Sequence, residues 1–417
     1  MSKILKIIFL LLYLSAEFYF VFSDSAFDEF AFFRIIGVAI FTFFNISTNY
    51  SLYIFIGFMP FEGEISAFDD FSIHKFIGIL LALNWLFDSR TKSFDKLVHF
   101  FIHKKWIYFI FIAAILSLRG IDISVLPQAL FTIIQNLLLA IIVSDVIREN
   151  KDIDDLLFLS FCSLIFSALF IVGLNTLLFG SERLEISNSN DLGIFSAFFL
   201  VLSLYRMLGT KDKLIKIFYI ISSGIFLFAT ASRSAILAGF ISCILIRFFP
   251  KNFSLKLIFP FTAAIIIIIA GFNYAGKNSQ DSGRYKHMGV DVERVIERDF
   301  RVANNILLAN NFLTNPFKMN GLGNKINDIT ERDPHGDLPL LLGELGIFGV
   351  LFYFYGFYSL IRLAKNTSAI YRPLAFSFIP LLFFYGLAHT TFNDKLTYVF
   401  IGLMLALHSM PRKQITK

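Results

Sequence analysis

Two arginines and a histidine stand where they could act on a phosphate-bearing substrate. Arg233 lies in Thr-Ala-Ser-Arg-Ser, a very short turn between two apolar runs, where a charge is costly unless it is paired or reaches the lipid headgroups. Arg301 lies in a long polar segment, and His335 lies in Asp-Pro-His-Gly-Asp, directly before the next apolar run. Guanidinium groups bind phosphate bidentately, and a histidine accepts protons near neutral pH. These residue types predict proton transfer beside a phosphate at a membrane boundary, although each alone also fits an interfacial side chain without chemistry.

The segment 292–312 has the apolar spacing of a helix. Arg294, Arg298 and Arg301 recur on another face at i, i+4 and i+7, which would align three guanidinium groups for a diphosphate. The same spacing suits a solvated helix face on which Glu297 pairs with Arg301, and spacing alone favours this simpler interpretation. The helix should end before Asn315-Pro316.

Other residues are secondary candidates, each with a structural interpretation beside the functional one. Glu344 lies nearly two turns into the apolar run that begins at Leu338 and should face the bundle interior, toward an arginine. Arg183 and Asp191 lie in a connection that is expected to be a solvated turn, and His389 lies at an outer boundary. Gly321-Leu322-Gly323 allows a tight turn or a close approach of the backbone. Close helix packing is the expected role of Gly343, Gly346 and Gly349.

Helices that cross a bilayer must position these residues. The 417-residue chain is 56% hydrophobic and 16% charged, contains 55 Phe and has a mean hydropathy of +0.70. Soluble domains are nearer half apolar and a quarter charged, so a water-soluble globule and a disordered chain are both excluded. Apolar runs of about twenty residues recur, each long enough to cross a hydrocarbon core of ~30 Å. The sequence predicts an all-α polytopic membrane protein with about 12–14 transmembrane helices.

The apolar runs divide the chain into membrane and outer parts. The fourteen predicted spans are 4–22, 30–45, 47–60, 72–87, 106–119, 124–146, 155–178, 191–207, 213–229, 233–249, 254–273, 338–362, 373–389 and 395–410. The interruption within 30–60 and the short run 106–119 leave a count of twelve open. An N-terminal bundle (1–273), a large partly helical loop (274–337) and C-terminal helices (338–417) therefore form one membrane domain.

The distribution of charge orients the chain. Connections placed inside are basic and include Arg206 and Lys216, whereas short connections placed outside carry mainly acids such as Asp24 and Glu62. Basic residues resist translocation, so both termini are expected in the cytoplasm and the loop 274–337 outside. That loop is balanced, with nine basic and nine acidic residues. The net charge of +6 is thus mainly a topology signal, and no nucleic-acid partner is expected.

Two function classes agree with this pattern. One is an enzyme acting at the outer leaflet on a lipid-linked anionic substrate, and the other is a transporter or flippase. A transporter should carry ionisable or helix-breaking residues near the bilayer midplane. Here the midplane shows only modest polarity, such as Gln135 and Asn136, while the unusual charges collect at the outer boundary. The enzyme is therefore preferred.

Three features together resemble the O-antigen ligase and O-antigen polymerase superfamily of bacterial envelope glycosyltransferases. They are Thr-Ala-Ser-Arg-Ser at 230–234, Arg301 fifteen residues before Pro316 in Asn-Pro-Phe, and Pro-His-Gly-Asp-Leu-Pro-Leu-Leu-Leu-Gly-Glu-Leu-Gly-Ile-Phe-Gly at 334–349. The resemblance covers roughly residues 180–360. It lies in the order of the features, their outer placement and the large loop between them.

The resemblance implies a metal-independent, inverting glycosyltransferase without a cofactor, at the periplasmic face of the bacterial inner membrane. Glycan would pass from undecaprenyl diphosphate to an acceptor sugar hydroxyl. Arg233 and Arg301 would bind and stabilise the diphosphate leaving group, and His335 would take the acceptor proton. The candidate substrate-binding residues are Arg183, Arg294, Arg298 and Glu344. The implied partners are the undecaprenyl-diphosphate-linked glycan, an acceptor glycan or lipid A–core, membrane lipid and a chain-length regulator.

Two departures favour the polymerase over the ligase. The ligase pattern usually has Asn, Ser or Gln after the histidine, where this chain has Gly336. It also expects Leu four residues after the loop arginine, where this chain has Asn305. We therefore expect a polymerase that joins lipid-linked repeat units. A ligase that moves finished glycan to lipid A–core is the close alternative, and a lipid-linked sugar flippase is the more distant one.

Overall fold

The computed structural model describes residues 47–61, 66–68, 71–87, 106–118, 120, 122–166, 189–209, 213–230, 232–248, 307–310, 312–324, 336–392 and 394–410. These residues form α1 (Thr48–Phe58), a 3₁₀ turn (Met59–Phe61), β1 (Ser66–Phe68), β2 (Phe71–Ser72), α2 (Ile73–Phe87), α3 (Trp106–Ser117), α4 (Leu126–Val146), α5 (Asn150–Phe166), α6 (Ser189–Gly209), α7 (Lys213–Ala229), α8 (Arg233–Phe248), α9 (Asp337–Asn366), α10 (Arg372–Ala388) and α11 (Lys395–Ser409).

The helices overlap eleven of the fourteen predicted spans, although residues 167–178 of the span 155–178 lie outside the described residues. The other three spans (4–22, 30–45 and 254–273) lie wholly outside them. The largest difference at a helix start is in α5, which begins at Asn150 rather than at 155. There the Asp152 carboxylate accepts hydrogen bonds from the backbone N–H groups of Arg148 and Glu149, at 2.8 and 2.9 Å. This contact holds a polar first turn that hydropathy does not detect.

Three helices are long and apolar enough to cross a membrane: Leu126–Val146, Asp191–Gly209 and Asp337–Asn366. Together with the shorter apolar helices around them, they indicate a helical membrane protein. The predicted helical class is confirmed across the described ranges, apart from one small antiparallel hairpin in which β1 pairs with β2. The hairpin lies in the connection between α1 and α2.

The core is built where α6, α8, α10 and α11 meet. Phe198, Phe378 and Phe400 come from three different helices and are fully buried, with ring centroids 5.0–6.0 Å apart. Glycine allows two of the helix pairs to pack closely. A Cβ at Gly239 of α8 would lie 3.0 Å from the Ala197 side chain of α6, and a Cβ at Gly402 of α11 would lie 2.6 Å from the Ala140 carbonyl of α4. The relative positions of these helices thus depend on close packing at the glycines as well as on the burial of apolar side chains.

A buried ionic cluster joins α5, α6 and α7 at the end of the bundle where α6 finishes. Arg206 donates two hydrogen bonds to the Asp154 carboxylate, at 3.0 and 2.6 Å, and the Lys216 ammonium donates a third at 2.6 Å. Both basic residues are buried. The two cations that the sequence places in an inner connection therefore also pair with a shared carboxylate inside the structure.

We predict that Asp154→Ala destabilises the protein by about 3 kcal/mol, because it leaves Arg206 and Lys216 buried without their shared anion. This is the low end of the range for breaking a buried ion pair, since about a third of the Asp154 side chain is exposed. Thermal unfolding of the purified protein in detergent measures the effect. Lys151→Ala, an exposed position on the same helix, is the control. Equal melting temperatures for the two variants would contradict the prediction.

Candidate functional site

Several helix ends form one end of the bundle, which we call the site end. Helices α6, α8, α9 and α11 begin there, and α7 and α10 end there. A Cβ at Gly193 in the first turn of α6 would lie 2.9 Å from Ser232, directly before α8. A Cβ at Gly336, directly before α9, would lie 3.0 Å from the Leu387 carbonyl near the end of α10. These approaches bring segments far apart in the sequence into one polar layer.

Tyr385 connects two carboxylates in this layer. Its buried hydroxyl donates a hydrogen bond to Asp191 at the start of α6 and also lies within hydrogen-bond reach of Asp394. Asp394 is the N-cap of α11, where its carboxylate accepts from the Leu396 N–H at 3.0 Å. The predicted solvated turn therefore does not extend to Asp191, because the Asp191 carboxylate lies in the first turn of α6 and is bonded to Tyr385 near the end of α10.

Asp337, the first residue of α9, holds the connection between α10 and α11. Its carboxylate accepts hydrogen bonds from the backbone N–H groups of Thr391 and Phe392 and from the Thr391 hydroxyl. Gly336 precedes it with φ +112°, a conformation that suits glycine. The described hydrogen bonds of Asp337 thus orient the loop after α10 and fix where α9 starts.

Lys395 places a cation at the same end. Its ammonium lies 3.2 Å from Nδ1 of His74, and Nε2 of His74 lies 3.1 Å from the Phe55 carbonyl oxygen. A carbonyl oxygen can only accept, so we assign the ring proton to Nε2, and Nδ1 then accepts from Lys395. The His74 ring stacks on the Phe55 ring at 4.2 Å. The His74 ring, held by Phe55, therefore orients the Lys395 side chain.

Arg233 is the first residue of α8 and is half-buried. The turn before it is tight, since the buried Thr230 hydroxyl donates to the Leu227 carbonyl at 2.8 Å and Ser232 is buried. That turn rests on the first turn of α6 at Gly193. The structure thus places Arg233 at the site end, at a helix start whose partial positive charge also favours an anion.

Helix α9 is broken at Gly346, which has φ +58° and ψ −139°. A Cβ at Gly349 would overlap the carbonyl of Leu341, eight residues earlier, whereas eight residues of a continuous helix rise about 12 Å. We call the two parts α9a (337–345) and α9b (347–366). The part α9b, about 30 Å long, is by itself long enough to cross a hydrocarbon core. The predicted span 338–362 therefore lies within a candidate membrane span, but it contains a break at Gly346 that hydropathy does not show. The predicted glycines allow close packing of the chain on itself here.

The loop 315–324 fills this break. Pro316 and Gly321 bond the backbone on either side of it, since the Ile347 N–H donates to Pro316 O at 3.0 Å and the Gly321 N–H donates to Glu344 O at 2.9 Å. Gly321 and Gly323 have positive φ values of 92° and 77°, which confirms the predicted tight turn and close approach. Residues 307–310 and 312–314 are helical, so the predicted helix does end before Asn315.

The same loop is anchored to the connection between α3 and α4. The Asn324 side chain exchanges two 3.0 Å hydrogen bonds with the backbone of Asp122, and the Leu322 N–H donates to the Ser117 hydroxyl at 2.9 Å. Asp122 itself accepts hydrogen bonds from Ser124, which lower the pKa of its carboxyl. The break in α9 is thereby linked to a distant part of the bundle.

Glu344 is buried beside the break, with 3% of its surface exposed. Its carboxylate accepts a hydrogen bond from the Gly323 N–H at 3.1 Å. The sequence predicted a neighbouring arginine, but no arginine of the described ranges forms an ion pair with it. In this structure its carboxylate bonds the loop that fills the break.

Of the predicted site residues, the structure describes Arg233 and Glu344, and these two residues lie in different parts of it. Arg233 lies at the site end, whereas Glu344 lies at the filled break. The others lie outside the described residues: Arg183, Arg294, Arg298, Arg301 and His335. Their roles stay predictions. His389, the secondary candidate, ends α10 with its ring 5.5 Å from that of Tyr385.

Sequence reasoning missed Tyr385, Asp394, Lys395 and His74 as members of the polar layer. Tyr385 lies inside an apolar run, and nothing local distinguishes it from a packing residue. Asp394-Lys395 carried a usable signal, because adjacent opposite charges directly before an apolar span mark a boundary. Across the described residues, no group of three or more His, Cys, Asp or Glu side chains is arranged to hold a metal ion.

Comparison with known proteins finds no matching protein-family profile and no curated protein that matches the chain. The functional interpretation therefore depends on the residues and on the geometry of the site end.

We predict that Gly346→Ala destabilises the protein by about 1–3 kcal/mol, because a side chain there forces a glycine-only conformation and meets Pro316 O at 2.8 Å. Gly356→Ala is the matched control on the same helix, since no atom lies within 4 Å of an added Cβ. The control should be neutral or stabilising by up to about 1 kcal/mol. Thermal unfolding in detergent compares them, and a Gly346→Ala protein as stable as the control would exclude the broken helix.

Proposed function

We propose that this protein is a glycosyltransferase of the O-antigen polymerase type, which moves glycan from undecaprenyl diphosphate to an acceptor sugar hydroxyl at the periplasmic face. The observation that carries the proposal is the polar layer at the site end. Arg233, the Asp394-Lys395 pair and the Gly336-Asp337 start of α9 all lie at that end of the bundle although they are far apart in the sequence. A reaction on a lipid-linked diphosphate needs such groups at the level of the lipid headgroups.

The proposed reaction is a single displacement at the anomeric carbon. The acceptor oxygen forms the new glycosidic bond while the bond from the anomeric carbon to the diphosphate oxygen breaks, and the configuration inverts. The acceptor proton passes to His335. The diphosphate leaves with its charge stabilised by Arg233 and Arg301, because charge develops on that group in the transition state. Binding roles for Arg183, Arg294, Arg298 and Glu344 belong to this proposal, as does the absence of a metal from the reaction.

The described backbone supports the role of the segment around His335. Gly336 packs against α10, and Asp337 is fixed by three hydrogen bonds to Thr391 and Phe392. Rigid support of this kind keeps a proton acceptor at a constant height relative to its substrate. Gly336, the first residue after His335, therefore belongs to a segment that contacts with α10 and with the loop after it hold in place.

Transport is the second candidate function, and the break in α9 favours it. Discontinuous helices and buried carboxylates near the membrane interior are typical of transporter binding sites. Here, however, the loop 315–324 already bonds the broken backbone and the Glu344 carboxylate. Purified protein in liposomes separates the two functions: movement of a lipid-linked sugar across the bilayer without formation of a glycosidic bond would favour transport.

We predict that His335→Ala and Arg301→Ala each lower glycan transfer by at least about 100-fold, because they remove the proton acceptor and a leaving-group cation. Protein level in the membrane should stay normal. Transfer is measured with purified protein and a lipid-linked glycan donor. His287→Ala and Arg284→Ala, the same residue types in the same loop, are the controls and should keep activity. Full activity in the first pair would exclude the proposed site.

Deletion of the gene, followed by gel analysis of the surface polysaccharide, separates polymerase from ligase. We expect lipid A–core that carries a single repeat unit, because a polymerase mutant can still transfer one unit. Core without any repeat would instead identify a ligase, since transfer to core would then be lost. An unchanged ladder of chain lengths would contradict both.

A further inference from the structure

A cavity of about 350 Å³ lies between α9, α10 and α11. Its walls are mostly apolar and include Leu341, Phe352, Phe357, Leu360, Leu382 and Ile401. Tyr355 and Arg362 also line it and are exposed at its rim. Since the neighbouring exposed side chains of α9b are apolar as well, the rim opens on a surface suited to lipid.

The two ends of the cavity differ in their polar groups. Asp337 and Thr391 line one end, where the carboxylate already accepts three hydrogen bonds. Arg362 lines the other end and forms no ion pair within the described ranges. Lys365 follows it less than one turn later and is exposed. The distance along α9b from Phe352 to Arg362 is about 15 Å.

We propose that this cavity binds an anionic phospholipid, with its headgroup on Arg362 and one acyl chain along the apolar wall. An acyl chain gains little by leaving lipid for an equally apolar wall, so the headgroup must supply the selectivity. Arg362 offers a guanidinium group that binds phosphate bidentately, whereas the Asp337 oxygens at the opposite end accept hydrogen bonds from the protein and offer a phosphate no donor. Basic pockets between membrane helices on the cytoplasmic side suit anionic headgroups.

The orientation follows from the same charges. Arg362 lies at the end of α9b that the basic connections place in the cytoplasm, so the lipid belongs to the cytoplasmic leaflet. An arginine at a helix end reaches the headgroup layer in any membrane protein, so its position alone defines no site. The adjoining apolar cavity, which Asp337 and Thr391 line at its other end, distinguishes this position. This lipid site does not depend on the proposed glycosyltransferase function.

The test places a tryptophan in the cavity rim of the full-length protein. Tyr355, replaced in Tyr355→Trp, lines the cavity, whereas Phe354, the preceding residue on the same helix, is exposed but does not line it and is replaced in Phe354→Trp. Each variant is reconstituted in phosphatidylcholine vesicles, and its fluorescence is quenched with brominated phosphatidylglycerol or brominated phosphatidylcholine at equal mole fraction. The signal of the two natural tryptophans, recorded on the unsubstituted chain, is subtracted.

We expect the Tyr355→Trp indole to be quenched by brominated phosphatidylglycerol with an apparent preference of about five-fold, the factor expected for one basic residue near an anionic headgroup. Adding Arg362→Ala should abolish that preference, and the Phe354→Trp indole should show none. Equal preferences at the two tryptophan positions, or a preference that survives Arg362→Ala, would overturn the proposal. Equal yield and gel-filtration behaviour of the variants show that the fold is retained.

Discussion

A buried backbone amide or carbonyl without a hydrogen bond costs about 1–3 kcal/mol, and the break in α9 creates such groups among buried residues. The loop 315–324 supplies their partners: Asn320 and Gly321 donate to the carbonyls of Gly343 and Glu344, and Pro316 accepts from Ile347. Because the loop is also bonded to the connection between α3 and α4, the break holds distant segments together. The short helix α9a joins this break to Asp337 at the start of α9.

The site end is organised by carboxylates that bond helix ends and loops. Asp191 and Asp394 meet at Tyr385, and Asp337 bonds the backbone at Thr391 and Phe392. Each contact fixes where a helix begins or ends, so the cations Arg233 and Lys395 are presented from rigid positions. The opposite end uses the reverse arrangement, in which one carboxylate, Asp154, pairs with two cations. Hydrogen bonds and ion pairs of carboxylates thus stabilise both ends of an otherwise apolar bundle.

The sequence predicted most of the described helices because an apolar run of membrane length is a local property. It also predicted the turn at Gly321-Leu322-Gly323, since paired glycines favour positive φ. It did not predict the fold of α9, because Gly346 resembles the packing glycines around it, and only the partners at Pro316 and Gly321 make the break stable. Asp191 was misjudged for the same reason: its partner, Tyr385, is 194 residues away.

Composition, hydropathy and the placement of charge by themselves determined the helical membrane class, the orientation expected for the chain and the residue types available for chemistry. These properties depend on the free energy of moving side chains from water into lipid, which each segment carries independently. The tertiary structure alone decided that Glu344 bonds a loop backbone, that Tyr385 joins two carboxylates and that Arg362 borders a cavity. Such outcomes depend on hydrogen bonds and packing between segments remote in sequence, for which the local residue pattern carries no signal.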